Sequence, residues 1–257
     1  MSLSETLDKI MKLAGDLEPI SAEEYLQFQV DGYNSNAGTL DLIDCPKCLN
    51  RGDYAVAEDG HFVIKECSCM TKRRAMRRMK RSGLEDVISR YTFASYQAQE
   101  DWQKQAKELC ERYTREPNGW LVISGNSGTG KTHLCTAVCG ALIKQGKDVR
   151  YFLWRTQAPT LKALANSVDY ESAVRPWKEV KVLYIDDFLK GTITDADINL
   201  AFDLLNARYN RTDLITIISS EQTIEDILSR DEALGSRIYE RLGVYIKTVG
   251  KKNWRLS

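Results

Sequence analysis

The sequence predicts an α/β domain with a mainly parallel five-stranded sheet, preceded by a small cysteine-containing module with helices. Short apolar runs alternate with helical patterns through the second part of the chain, which is typical of a parallel sheet. A glycine-rich turn that ends in lysine and threonine stands between the first apolar run and the helical pattern after it. Four cysteines precede this domain. We place the domain boundary after residue 82, giving units 1–82 and 83–257.

The order of the elements supports this fold class. The segments that resemble buried strands are Leu121–Ser124, Val149–Leu153, Val182–Asp186, Leu214–Ser219 and Val244–Thr248. Helical patterns occur at His133–Lys144, Thr156–Val168, Ala196–Tyr209 and Thr223–Leu228. Strands that alternate with helices imply a mainly parallel sheet with right-handed crossovers.

Residues 125–132 read Gly-Asn-Ser-Gly-Thr-Gly-Lys-Thr, the complete G-x-x-x-x-G-K-[ST] phosphate-binding loop. The glycines let successive N–H groups point at phosphate oxygens, and the following helix adds the positive end of its dipole. Lys131 can reach the β- and γ-phosphates, and the Thr132 hydroxyl can ligate Mg²⁺. We therefore predict that ATP or ADP binds with Mg²⁺. The predicted contact residues are Gly125, Asn126, Ser127, Gly128, Thr129, Gly130, Lys131, Thr132 and His133.

Two carboxylates end the predicted strand that should lie near this loop. The run 181–188 begins with a lysine, continues as Val-Leu-Tyr-Ile and then reads Asp186-Asp187-Phe188. A strand of this kind delivers one acid to the Mg²⁺ shell and a second to the attacking water. We assign Asp186 to magnesium and Asp187 to water activation. The alternative is a strand that merely ends in a solvated Asp-Asp turn.

The four upstream cysteines have the spacing of a metal site. Cys45 and Cys48 form a C-x-x-C pair, Cys67 and Cys69 form a C-x-C pair, and a hairpin-like stretch separates them. Two such pairs at the ends of a hairpin can hold one tetrahedral Zn²⁺. His61, in the hairpin turn, could replace one thiolate. The alternative is four reduced cysteines packed without metal, although so small a segment could hardly build a core without a staple.

A strongly basic segment follows the cysteines. Its basic residues are Lys72, Arg73, Arg74, Arg77, Arg78, Lys80 and Arg81. Seven basic residues in ten would cover most faces of a helix, which suits contact with a DNA or RNA backbone. The alternative is a solvated connecting helix that pairs with the acidic N-terminal region. Ser82-Gly83 should end this helix.

The first part of the chain has weaker signals. Leu3, Leu7 and Ile10 recur at helical spacing, and Ser21 with Glu24 resembles a capping box before a second short helix. The N-terminus lacks the basic and apolar regions of a secretory signal, and no apolar run approaches the ~20 residues that span a membrane. We therefore expect a cytoplasmic protein without a membrane partner, with its seven cysteines reduced.

The overall charge limits the possible partners. Lys and Arg total 36, and Asp and Glu also total 36, so the formal net charge is zero. Nonspecific binding of nucleic acid over the whole surface is therefore not expected, whereas a local basic patch remains compatible with this balance.

Several segments together resemble a known family. These are 91–96, the loop 125–132, the run 184–188, the strand 216–220 and Leu-Gly-Ser-Arg-Ile at 234–238. With the upstream cysteines, residues 45–257 resemble the AAA+ ATPases of the DnaC/DnaI helicase-loader and IstB-like group. The resemblance implies an AAA+ P-loop domain. Residues after the last predicted strand are too few for the helical lid of many AAA+ proteins, so we expect no C-terminal lid.

The resemblance also implies roles for individual residues. Arg237 matches the arginine finger that reaches the nucleotide of a neighbouring subunit, and Arg241 is the competing candidate. Glu221 stands where relatives often carry an asparagine that senses the γ-phosphate. Because a carboxylate would repel phosphate, we expect Glu221 to point away. Ser219 or Ser220 would then take the sensing role, or hydrolysis would be slow.

The function implied by the resemblance is an ATP-hydrolysing loader of a replicative DNA helicase. Residues 1–82 would bind the helicase, and the ATP state would control head-to-tail self-association and contact with single-stranded DNA. A second interpretation is an IstB-type transposition-helper ATPase. A third, from another class, is a zinc-dependent adaptor that binds ATP without significant turnover.

Overall fold

The computed structural model describes residues 20–248, which form two compact units. The first ends at Arg74 and the second begins at Ala75, so the division falls within the basic helix. The helix predicted from Leu3, Leu7 and Ile10 lies outside the described residues.

The first unit contains a capped helix and a β-hairpin. Helix α1 (Ala22–Ser35) begins at the predicted capping box, in which the Ser21 hydroxyl accepts from the Glu24 N–H and the Glu24 carboxylate accepts from the Ser21 N–H. Strands β1 (Asp53–Glu58) and β2 (His61–Glu66) pair antiparallel. Asp59 and Gly60 form the turn in the left-handed region, with φ of 51° and 75°.

Helix α2 (Cys69–Ser82) carries the basic segment from the first unit into the second. It ends where the sequence predicts, because Gly83 adopts a φ of 77° that stops the helix. The remaining helices of the second unit are α3 (Glu85–Ile88), α4 (Asp101–Arg115), α5 (Lys131–Lys144), α6 (Trp154–Ala163), α7 (Tyr170–Glu179), α8 (Asp195–Tyr209), α9 (Ile224–Arg230) and α10 (Glu232–Glu240). Within residues 20–248, no helix has the length and apolar character needed to cross a membrane.

The second unit is built on the predicted five-stranded parallel sheet. Its strands are β3 (Trp120–Ser124), β4 (Val149–Leu153), β5 (Val182–Phe188), β6 (Ile215–Ser220) and β7 (Leu242–Lys247). Their spatial order is β4-β5-β6-β3-β7, and every neighbouring pair is parallel. All five carboxyl ends therefore lie at one edge, with the ends of β5 and β3 on either side of β6.

Each face of the sheet is covered by its own apolar layer. One layer packs α3, α4 and α5 against the strands around buried Leu121 and Tyr184. The other packs α6 to α10 around Trp120 and Phe152. Cys135 and Cys139 are fully buried in the first layer, where they serve as packing residues. Strands covered on both faces explain the continuous apolar runs of the sequence.

Within the described part of the second unit, the sequence did not predict four helices, α3, α4, α7 and α10. In α4 the buried face includes Gln103, Ala106 and Thr114, which are polar or small and give a weak apolar pattern. The helix predicted over Thr156–Val168 ends at Ala163, and a separate helix, α7, follows. Tertiary packing, rather than local periodicity, therefore sets these boundaries.

A buried arginine fixes α7 to the sheet. Arg208 is fully buried and donates to the main-chain oxygens of Trp177, Lys178 and Val180 at the end of α7, at 2.8–3.0 Å. It also donates to the Ile215 oxygen and the Thr216 hydroxyl of β6. Burial lowers the pKa of Arg208 to about 9. One side chain thus satisfies carbonyl groups that the helix end leaves without partners.

Candidate nucleotide site and thiol cluster

The phosphate-binding loop joins β3 to α5 and has the backbone shape that its glycines allow. Gly125, Gly128 and Gly130 adopt positive φ values of 131°, 78° and 90°. A Cβ at Gly125 would lie 2.1 Å from the Thr248 hydroxyl, and one at Gly130 would lie 2.9 Å from the Tyr96 ring. Glycine is therefore required at both positions by conformation and by space.

The loop holds the Lys131 ammonium group in its own curve. Lys131 Nζ donates to the main-chain oxygens of Gly125 and Asn126, at 2.8 and 2.7 Å. Burial lowers the pKa of Lys131, and the nearby carboxylates of Glu221 and Asp187 oppose this shift. The cation is therefore desolvated and positioned where the motif needs it.

Asp186 lies next to the loop and accepts three hydrogen bonds. Its carboxylate accepts from the hydroxyls of Thr132 (3.0 Å), Tyr151 (2.9 Å) and Ser219. Burial, together with the charge of Asp186, raises the pKa of Tyr151. The structure thus brings together Thr132 and Asp186, the two residues predicted to hold magnesium. Hydroxyl and carboxylate oxygens are ligands that suit Mg²⁺.

Asp187 differs from Asp186 in its surroundings. The backbone turns at Asp187, which has a φ of 53°, and the pairing of β5 with β6 shifts register between Ile185 and Phe188. The turn places the Asp187 side chain on the wall of a cavity of about 260 Å³, whereas Asp186 is buried and does not line this cavity. The two carboxylates are therefore separated in position, as their different predicted roles require.

The cavity is polar and lies over the loop. Its walls are Tyr91, Ser127, Gly128, Gly130, Lys131, Thr132, His133, Asp187, Lys190 and Glu221. Among these described wall residues, Lys190 carries a charge that sequence reasoning missed. It follows Asp187 by three positions in the turn after the strand, and that proximity was the available signal.

The expectation that Glu221 points away from the phosphate region is wrong. Glu221 lines the cavity, and its carboxylate accepts from Lys190 Nζ at 3.0 Å. Lys190 also pairs with Asp187 at 3.1 Å, so one ammonium group bridges two carboxylates. Burial alone would raise the pKa of Glu221, but the hydrogen bond and charge of Lys190 make the net shift downward. The ammonium group of Lys190 thus offsets the negative charge of Glu221, and the Glu221 side chain does not turn away from the cavity.

Neither serine proposed as a substitute sensor faces the cavity. The Ser219 hydroxyl donates to Asp186, and the Ser220 hydroxyl donates to the main-chain oxygen of Phe188. Both serines are fully buried. Their role in this structure is to fix the two carboxylate-bearing turns.

His133 joins the loop to the segment 91–96. Its Nε2 lies 2.9 Å from the Thr92 main-chain oxygen, which requires Nε2 to carry the proton. The ring packs against Tyr91 and Tyr96, with centroids 4.9 and 5.1 Å apart. Burial lowers the pKa of His133, which favours the neutral ring. An aromatic wall of this kind can accept a nucleotide base.

Arg237 lies away from the nucleotide cavity of its own chain. On α10 it donates to Asn206 Oδ1 at 2.9 Å and to the Ala233 main-chain oxygen at 2.8 Å, and it covers the Phe202 ring at 4.5 Å. Arg241 ends the same helix, and its Nε is buried without an acceptor among the described residues. The structure therefore does not bring either arginine to the loop within one chain.

The four predicted zinc ligands do converge. The sulfur atoms of Cys45, Cys48, Cys67 and Cys69, which we call the thiol cluster, all lie within 4.8 Å of one another. The Cys45–Cys67 and Cys48–Cys69 separations are 3.7 and 3.6 Å. Tetrahedral Zn²⁺ with Zn–S bonds of ~2.3 Å requires S···S distances of ~3.8 Å. The cluster therefore has the dimensions of a four-thiolate zinc site.

Local backbone groups support this cluster. The Gly52 N–H donates to Cys48 Sγ at 3.4 Å, and the backbone N–H of Cys48 is the main cause that lowers the pKa of Cys45 to about 6. His61 begins β2 at the hairpin turn, five positions and roughly 17 Å of strand from Glu66. His61 is therefore not part of the cluster.

Part of the basic segment serves the first unit. Arg73 is fully buried and donates to the main-chain oxygens of Asp41 and Ile43 and to Asn50 Oδ1. Asn50 Oδ1 also accepts from the Cys45 N–H, so Arg73 supports the first cysteine pair. Arg74 pairs with Glu66. Arg73 therefore serves the first unit and is not available to contact nucleic acid.

The fold and the loop define a P-loop AAA+ protein. A family model described as IstB-like ATP binding protein matches residues 56–254, which is well over half of the chain. The chain belongs to this family.

Similar proteins include phage and replication proteins. The chain is 31% identical to the phage-like element PBSX protein XkdC of Bacillus subtilis (strain 168) over 229 residues, which cover 83% of this chain and 85% of the relative. It is 26% identical over 196 residues to the replicative helicase loader DnaC of Escherichia coli (strain K12), covering 70% and 75%.

Two solved structures share the fold. A crystal structure of the DnaC helicase loader aligns with a TM-score of 0.56 at 21% identity, covering 62% of this chain and 97% of that one. AMPPCP-bound DnaA from Aquifex aeolicus aligns with a TM-score of 0.53 at 23% identity, covering 65% and 52%. Both confirm the predicted AAA+ architecture with its parallel five-stranded sheet.

We predict that Cys48→Ser lowers the zinc content from about one ion per chain to well below it and unfolds the first unit, because metal binding stabilises so small a module. His61→Ala is the matched control and should keep full zinc content, since His61 lies at the far end of the hairpin. Metal analysis by inductively coupled plasma mass spectrometry measures both. Zinc-free parent protein, purified without chelators, would contradict the assignment.

We predict that Lys190→Met weakens ATP binding by about tenfold, or ~1.4 kcal/mol, because it leaves Asp187 and Glu221 uncompensated in the cavity. ADP binding should change less if these carboxylates face the γ-phosphate. Isothermal titration calorimetry with both nucleotides gives the two ratios.

The double change Lys190→Met with Glu221→Gln separates two explanations for that weaker binding. Recovery of ATP affinity would show that Lys190 acts by balancing Glu221. Affinity that stays low would show that Lys190 acts mainly at Asp187 or at the phosphate itself. Unchanged ATP affinity in Lys190→Met alone would refute both.

Proposed function

We propose that this protein is an ATP-dependent loader that delivers a replicative DNA helicase to single-stranded DNA. The observation that carries the proposal is that similarity to the Escherichia coli replicative helicase loader extends over 70% of this chain, together with a complete nucleotide site. A neighbour in fold, the replication initiator DnaA, was solved with AMPPCP and single-stranded DNA, which supports the choice of nucleic acid.

In this proposal the loop and the two carboxylates bind and hydrolyse MgATP. Lys131 contacts the β- and γ-phosphates, and Thr132 with Asp186 holds Mg²⁺. Asp187, on the cavity wall, orients the attacking water. Lys190 bridges Asp187 and Glu221 and offsets their negative charge where the γ-phosphate would lie. ATP would act as a switch for assembly, with slow hydrolysis.

The first unit would bind the helicase. The thiol cluster would hold Zn²⁺ and fix the hairpin. Residues 1–82 would form the surface that contacts the helicase. Since zinc binding by four thiolates makes the module rigid without a large core, a small unit can offer a defined surface. The assembly would work in the cytoplasm.

Hydrolysis would depend on a neighbouring subunit. Within residues 20–248, Arg237 has no acidic partner, and it lies away from its own loop. In a head-to-tail assembly its planar fork could leave Asn206 and reach the γ-phosphate of the next subunit. Such contacts build rings or open spirals and not two-fold dimers.

Two other functions have specific support. The matching family model favours an IstB-type transposition helper, which would deliver a transposase in place of a helicase. The Lys190–Glu221 pair in the cavity favours an adaptor that binds ATP with little turnover, because this pair replaces the usual polar sensor. The identity of the captured partner and the turnover rate separate these functions.

We predict that the tagged protein captures the replicative helicase of its own organism, and that Cys48→Ser abolishes capture. Lys131→Ala should retain capture, since it changes only the nucleotide loop, but should lose ATP binding and the ATP-dependent transfer of helicase to single-stranded DNA. Affinity purification with and without MgATP measures both steps. Capture of no helicase by the folded, zinc-loaded parent would refute the proposed function.

We predict that Arg237→Ala binds ATP normally but loses most ATP hydrolysis. Mixing it with Lys131→Ala should restore part of the activity, because interfaces that pair an intact loop with an intact arginine can form. Arg241→Ala is the matched control and should hydrolyse ATP at the parent rate. Full ATPase activity at dilutions where light scattering detects only monomer would exclude action in trans.

A further inference from the structure

A second cleft lies at the edge of the sheet opposite to the nucleotide site. Its volume is about 420 Å³, and its floor is formed by Val149 and Val180, beside the amino ends of β4 and β5. Helix α2 contributes Arg78 and Arg81, and α7 contributes Arg175, to its walls. Because the phosphate-binding loop lies at the carboxyl edge, the two sites can be occupied at the same time.

The cleft has an excess of positive charge. Its cations are Arg78, Arg81, Arg150, Arg175 and Lys181, and its carboxylates are Asp148 and Glu179. Asp148 lies 3.5 Å from Arg81, a long and exposed pair. The side chains of Arg150 and Arg175 are exposed and form no hydrogen bond or ion pair within residues 20–248. Two arginines therefore face the cleft with their binding capacity unused.

Arg78 is held in place rather than freely solvated. It is half-buried, and its Nε–H is inaccessible to solvent and has no acceptor among the described residues. A buried charged donor without an acceptor is unfavourable, so another interaction of Arg78 is expected to offset this cost. Arg78 also lines the cleft, so an anion bound there would offset the charge of its guanidinium.

We propose that this cleft binds the phosphodiester backbone of a nucleic acid. Of the five cations in its described lining, four are arginines, whose planar forks match two phosphate oxygens at once. Among the described residues that line it, none is aromatic, so it offers no stacking surface for bases and contact would be independent of sequence. Within the proposed loader function, on which this inference rests, it is a nucleic-acid site on each subunit.

An acidic protein segment fits the cleft less well. Protein partners are usually anchored by aromatic or aliphatic side chains in apolar pockets. Here the apolar wall atoms of the described lining come mainly from Val149, Val180 and Pro176, and charged groups surround them. The charged lining is therefore better suited to phosphate groups than to an apolar anchor.

The basic segment of α2 is therefore divided in its roles. Arg73 and Arg74 are used inside the first unit, whereas Arg78 and Arg81 face the cleft of the second. Their spacing of three positions places both on one side of the helix.

The test compares a cleft variant with a variant matched in charge. Fluorescence anisotropy of a labelled oligothymidylate strand, titrated over a range of salt, should show at least tenfold weaker binding for Arg150→Ala/Arg175→Ala. The slope of log K against log salt should fall by about two, one for each phosphate that an arginine no longer neutralises. Lys104→Ala/Arg230→Ala removes two exposed charges from α4 and α9 and should match the parent. The same titration with a double-stranded oligonucleotide shows whether the cleft prefers single-stranded or double-stranded nucleic acid.

Other measurements separate this inference from the loader function. ATP binding and helicase capture by Arg150→Ala/Arg175→Ala should equal those of the parent, which also shows that the variant is folded. Arg150→Lys/Arg175→Lys should retain the salt slope because it keeps both charges. Parent-like affinity and slope in the alanine variant would overturn the proposal. Stronger binding of polyglutamate than of DNA by the parent, abolished in the same variant, would overturn it in favour of an acidic protein.

Discussion

The hydrogen bonds to the Asp186 carboxylate organise the nucleotide site. Three hydroxyls, from the first turn of α5, from β4 and from β6, converge on this one buried group. A buried carboxylate is costly unless its oxygens are satisfied, so the three elements must keep their relative positions to supply these hydrogen bonds. The loop, its helix and the sheet edge are consequently held together before any ligand arrives, with Asp187 left on the cavity wall.

Charge balance in the cavity follows from the same turn. After Asp187 the chain reverses, with Leu189 also in the left-handed region, and returns Lys190 to the mouth of the cavity. Its ammonium group then lies between Asp187 and Glu221. A site that must bind an anion can thus carry two carboxylates, because a cation of the same chain offsets them. Glu221 can therefore line the cavity, although its position in the sequence alone suggests that it would repel phosphate.

Among its described residues the first unit buries few large side chains, so it depends on a different constraint. The thiol cluster forms its centre, and Arg73 ties the segment 41–43 and Asn50 to the helix that follows the last cysteine. A charged side chain is used here as a structural link, donating to main-chain oxygens that have no strand or helix partner. The basic character of α2 therefore has more than one physical cause.

The sequence by itself determined the parallel sheet, the phosphate-binding loop, the acid pair and the convergence of the four cysteines. Each of these is encoded locally, by apolar runs, by glycines at positions of positive φ, or by short spacings. The tertiary structure alone decided that Glu221 faces the cavity, that Lys190 offsets it, that Arg73 is buried and that α7 forms a separate helix. These outcomes depend on contacts between residues distant in the chain, such as Arg208 with the end of α7, and no local pattern records them.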